Sequence, residues 1–130
     1  MKHIFIFLII LISFSILDSL WLGVVAKKFY QKHLGRFFAS KFKFWPALIF
    51  YPLYGFGVFM FVIKPALDNS TSLLSVFLLG ALFGIIAYAT YNLTNLVTLK
   101  DWPIKSVLVD IAWGGFVTGA VSVISFLIVK

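Results

Sequence analysis

The sequence predicts an all-α fold: a transmembrane four-helix bundle with a basic amphipathic interfacial helix between spans 1 and 2. Three observations carry this expectation. Of the 130 residues, 62% are hydrophobic and 12% charged, against roughly half and about a quarter in a soluble domain. Four apolar stretches, Ile4–Val25, Trp45–Ile63, Leu73–Leu99 and Val107–Val129, are each long enough to cross a hydrocarbon core of ~30 Å. Most of the charged side chains fall between these stretches. The composition excludes a soluble globular or disordered chain, and the absence of cysteine excludes a disulfide scaffold and thiol catalysis. A single integral membrane domain over residues 1–130 is expected.

The first stretch follows Lys2, and with Val24-Val25-Ala26 it has the outline of a secretory signal and its cleavage site. We read it as a spanning helix, because its Asp18, Trp21 and Gly23 recur as a matching pattern in the fourth stretch. The segment 27–44 places Lys28, Lys32 and Arg36 on one helical face and Tyr30, Leu34 and Phe37 opposite. Tethered between two spans, that basic face meets anionic lipid headgroups rather than nucleic acid. His33 reads as a residue of the polar face, since no cysteine or second nearby histidine completes a metal site.

The second stretch ends at a connection through Lys64-Pro65-Ala66 and Asp68-Asn69-Ser70-Thr71, and the third at Lys100-Asp101-Trp102-Pro103. Connections this short favour antiparallel neighbours. Trp45 and Trp102 are placed to anchor an interface. Eight of the eleven basic residues lie in the first and third connections. The positive-inside rule therefore puts both termini on the non-cytoplasmic side.

Two of the four acidic residues, Asp18 and Asp110, lie inside apolar stretches, where an ionised aspartate costs ~2.5–3.5 kcal/mol at a helix centre. Counted from Lys27 and Lys105 at ~1.5 Å per residue, they lie ~13 and ~8 Å in, and Asn92 and Asn95 lie ~12 and ~8 Å from Lys100. Tyr51 and Tyr54 on the second span reach the same layer. On the third span Gly80, Gly84, Tyr88, Tyr91, Asn92 and Asn95 follow helical spacing along one face. Both aspartates open a D-x-x-W-x-G pattern, with Trp21 and Trp113 one turn on. The two copies run antiparallel. Packing through interhelical hydrogen bonds explains asparagine and tyrosine well, but a carboxyl adds a desolvation penalty that packing alone does not require. Two carboxyls that converged in low dielectric would share a proton and titrate as a unit.

DSLW at 18–21, PALIFY at 46–51, GALFGIIAYATYNLTNLVTLKDWP at 80–103 and DIAWG at 110–114 resemble an uncharacterised family of bacterial four-span membrane proteins, classed as a domain of unknown function. Its motifs here are D-x-x-W, Y-x-T-Y-[DN]-L-T-N-L and D-x-x-W-G. The resemblance covers nearly the whole chain and implies a small bacterial integral membrane protein, with no reaction or cofactor attached. It also implies that the family commonly carries aspartate where this chain has Asn92.

The functional expectation is a buried acidic and polar site near the inner leaflet of a bacterial cytoplasmic membrane. It would bind a small lipophilic or cationic ligand, with proton-linked transport as an extension. Its residues are Asp18, Asp110, Asn92, Asn95, Tyr88, Tyr91, Tyr51, Tyr54, Trp21 and Trp113, with no metal and no cofactor. Two alternatives stay open. One is an intramembrane lipid or isoprenoid isomerase or hydrolase using the paired aspartates. The other is an assembly subunit. A homodimer through glycine-bearing faces is expected from the small size of the chain.

Overall fold

The computed structural model describes residues 2–130. Helix α1 (Lys2–Leu20) is prolonged by a π-helical turn, Trp21–Val25. A short helix α2 (Lys27–Leu34) ends in a 3₁₀ turn, Gly35–Phe37. Helix α3 (Trp45–Val58) continues through a second π-helical turn, Phe59–Ile63, into a final turn, Lys64–Asp68. Helices α4 (Leu73–Thr98) and α5 (Ile104–Val129) complete the chain. All four long helices are long and apolar enough to span a membrane. In lipid a helix satisfies its backbone groups internally, so apolar runs of this length become helices almost regardless of intrinsic propensity.

The ends of the helices depart from the expected spans for identifiable reasons. α3 does not stop at Ile63 but carries on through Lys64-Pro65-Ala66 to Asp68. The wide turn before it, in which Lys64 N–H bonds the Phe59 carbonyl, opens the backbone where the Pro65 ring would crowd the preceding turn. α5 starts at Ile104, immediately after Pro103, because a lysine such as Lys105 in a first turn can extend its charge to water. The 27–44 segment is helical only to Phe37, and Phe38 is extended. Helix α4 is capped by Ser72, whose hydroxyl accepts from Ser75 N–H at 3.3 Å.

Packing centres on α5, half of whose apolar window is buried, more than in any other span. α4 lies against it along a seam of small residues. A Cβ on Gly84 would collide with the Gly114 carbonyl, and one on Gly80 with Ser122. Gly114 in turn accommodates the Tyr88 ring. Gly80, Gly84 and Gly114 are therefore spent on contacts inside the chain. α1 contributes Ile6, Ile10 and Phe14 at four-residue spacing, packed with Val58 and Val62 of α3 and Val117 and Val121 of α5.

At the basic end the two connections lie together. Arg36 donates to the Asp101 carbonyl, and the Phe37 ring stands 5.0 Å from that of Trp102. Trp45 is exposed, but Trp102 is buried beneath Phe37 and Tyr91, so only the first of the two is free to anchor an interface. Lys28 and Lys32 face outward.

Candidate ligand pocket

Asp18 lies on the buried face of α1, two turns beyond Ile10 and one beyond Phe14. Its Oδ2 accepts from the Tyr51 hydroxyl of α3 at 2.6 Å, and its Oδ1 from Trp113 Nε1 of α5 at 3.2 Å. Asp110, on α5, is served in the same way. The Asn92 amide of α4 donates to Oδ2 at 2.7 Å, and the Tyr30 hydroxyl of α2 donates to Oδ1 at 2.9 Å. Trp21 Nε1 donates to that same tyrosine oxygen at 3.1 Å. Every carboxylate oxygen thus has one neutral donor.

The two D-x-x-W patterns cross-pair. Asp18 takes the tryptophan of the other copy directly, and Asp110 reaches Trp21 through Tyr30. The indoles of Trp21 and Trp113 stack between them, with centroids 4.4 Å apart and planes 5° from parallel. The antiparallel direction of α1 and α5 makes this exchange possible. Trp21 begins the π-helical turn, in which Ala26 N–H bonds the Trp21 carbonyl at 2.8 Å. Such a turn is wider than an α-turn and is a frequent local feature of functional sites.

The two carboxyls are held by separate sets of donors, and both face one cavity of about 750 Å³. Its polar lining includes Asn92, Gln31 and the rim residue Lys27, and its walls are largely aromatic, among them Phe14, Phe42, Phe50 and Tyr54. Tyr54 is fixed by a 2.7 Å hydrogen bond with Thr118. Tyr88 and Tyr91 also line the cavity.

Of the ten expected site residues, Asp18, Asp110, Asn92, Tyr51, Trp21 and Trp113 join the hydrogen-bond network. Tyr54, Tyr88 and Tyr91 join the cavity wall. Asn95 does neither. It is half-buried, and its side chain makes no hydrogen bond among the described residues. Three residues along an α-helix, its direction differs from that of Asn92 by about 60°.

Tyr30 escaped the sequence reading. It belongs to the face opposite Lys28, Lys32 and Arg36, yet it is 6% exposed and links the two halves of the network. The available signal was a hydroxyl-bearing ring on the face opposite Lys28 and Lys32. Burial, together with the charge of Asp110, raises its pKa above the ordinary phenol value, so Tyr30 is neutral and donates at physiological pH. His33 bonds the Phe29 carbonyl at 3.0 Å, and no cluster of potential metal ligands occurs among the described residues.

Fold and site together define a four-span integral membrane bundle with an acid-bearing, aromatic-walled cavity at its basic end. Residues 3–127 match a family described as a predicted membrane protein (DUF2177), and the chain belongs to that family. No curated protein and no solved structure matches it.

Proposed function

We propose that the protein binds a small lipophilic or cationic ligand in the cavity at the basic end of the bundle. The observation that carries this reading is the coincidence of both intramembrane aspartates with one cavity of about 750 Å³, a volume typical of small-molecule sites. Intramembrane carboxyls facing a cavity commonly serve ligand or ion handling. The Tyr88 and Tyr91 hydroxyls, which have no hydrogen-bond partner among the described residues, are available to orient a bound molecule. Proton-linked movement extends this reading, since a cation bound beside the carboxyls and a proton on them are mutually exclusive charges.

The proposed setting is the bacterial cytoplasmic membrane. Both termini lie outside the cytoplasm, the cavity lies toward the inner leaflet, and Lys28 and Lys32 contact anionic headgroups. The support is the gathering of eight basic residues into the two connections that meet at Arg36 and Asp101. Because the chain has no cysteine, single cysteines placed at Ser40 and Asn69 report the orientation. An impermeant thiol reagent added to intact cells should label Asn69→Cys and spare Ser40→Cys, and the reverse result would invert the topology.

Native mass spectrometry of protein gently extracted from its own membrane tests the ligand reading directly. A defined small molecule should remain with the original chain and be lost from Ala87→Trp, which fills the cavity, and from Asp18→Asn. Recovery of only bulk phospholipid or another protein, alike in all three samples, would count against a ligand site and favour an assembly role.

A further inference from the structure

We infer that the cavity selects a diffuse cation without N–H groups, such as a quaternary ammonium or phosphonium ion carrying apolar substituents. This rests on the ligand-pocket reading and narrows it. The four oxygens of Asp18 and Asp110 already accept from Tyr51, Trp113, Tyr30 and Asn92, at 2.6, 3.2, 2.9 and 2.7 Å. All four donors are neutral, so they hold each carboxylate oxygen by one hydrogen bond but leave the charge uncancelled.

No internal cation cancels it either. The one ion pair among the described residues, Lys64 with Asp68, belongs to the last turn of α3. Lys27 lines the cavity but is exposed and makes no ion pair with either aspartate. What the cavity offers a ligand is negative potential from two carboxyls already held by neutral donors, together with the aromatic side chains of Phe14, Phe42, Phe50, Tyr54, Tyr88 and Tyr91. Aromatic faces attract cations through their quadrupole. A weakly hydrated, alkyl- or aryl-substituted cation loses little on entering such a space, whereas a primary ammonium surrenders strong hydration and regains only part of it.

Three bulky probes separate the possibilities: tetraphenylphosphonium, protonated tritylamine, and tetraphenylborate. Tritylammonium has similar bulk with N–H donors, and tetraphenylborate has the phosphonium shape with the opposite charge. Each is titrated calorimetrically into the protein in neutral detergent, with partition into empty micelles subtracted. Tetraphenylphosphonium should bind about tenfold more tightly than tritylammonium, and tetraphenylborate should show no saturable binding.

Phosphonium binding should disappear in Ala87→Trp and fall in Asp18→Asn and Asp110→Asn, each first checked for native helix content and a cooperative melt. Equal or tighter binding of tritylammonium would overturn the inference in favour of a hydrogen-bonded ion pair. Equal binding of tetraphenylborate, or undiminished phosphonium binding in both aspartate variants, would overturn cation selection while leaving a lipophilic-ligand pocket. No saturable binding by any probe, or binding unaffected by Ala87→Trp, would overturn the inference, and the second result would detach ligand binding from this cavity altogether.

Discussion

Along the α4–α5 seam, Gly80, Gly84 and Gly114 bring two backbones so close that a single added carbon would strike a carbonyl or a neighbouring side chain. Around Asp18 and Asp110 the opposite holds. Long aromatic side chains from α1, α2, α3 and α5 bridge the helices through hydrogen bonds and leave about 750 Å³ unfilled. Lipid supplies no hydrophobic drive between helices, so association rests on close packing and interhelical hydrogen bonds. The seam uses the first for a continuous contact, and the network uses the second to hold an open space. Close packing and an open cavity are thereby assigned to different parts of one helix, α5.

The largest effect that would break this division is expected at the seam. Gly84→Leu forces side-chain atoms into the Gly114 carbonyl and Thr118, and overpacking of this kind costs ~1–3 kcal/mol or more. Thermal unfolding in detergent should show a large loss of folded protein. Gly23→Ala, where an added Cβ meets nothing within 4 Å, should leave the melt unchanged.

A smaller effect is expected in the network. Asp110→Asn keeps the shape but turns an amide toward two donors, Tyr30 and Asn92, and a mismatched buried group costs ~1–3 kcal/mol. A modest drop in melting temperature with a disproportionate loss of retained ligand would sharpen the comparison. Equal losses at Gly84 and Asp110 would blur it.

Tyr30→Phe removes one acceptor and one donor, each interhelical bond averaging ~0.6 kcal/mol. It also reports on pH. A phenol pKa raised in the folded state stabilises the fold below the unfolded value of about 10, and that contribution is lost as pH rises through the higher folded value. In Tyr30→Phe the late-ionising part of the phenolate absorbance should fall by the equivalent of one tyrosine. The smallest change is expected for Asn95→Leu, with the melt and ligand retention both unaltered.

How much of this was legible depended on how far a side chain's surroundings follow from its own helix. The four spans were, because apolar length alone compels a helix in lipid. Asp18, Asp110, Asn92 and the two tryptophans were, because polar groups in such runs need partners. Tyr30 was not. Its face looked like any apolar face beside lysines, and only the fold turns it onto the bundle. Gly80 and Gly84 announced close approach without saying to what, and that partner proved to be α5 rather than a second chain. Asn92 and Asn95 lie within one helical turn of each other, so the spacing put both on one face, and only rotation about α4 separates them.

The exchange of partners between Asp18 and Trp113, 95 residues apart, also sets an order of events during synthesis. Asp18 enters the membrane with the first span, when α5 has not yet been made. Until the last helix arrives, its carboxyl lacks the Trp113 donor, and the partner pattern around Asp110 does not exist. A ribosome-bound intermediate ending near Thr98 should therefore hold α1 loosely and expose it to membrane proteases. Pulse-chase turnover of chains truncated before α5 should be markedly faster than that of the full chain, which makes completion of the final helix the step that rescues the first.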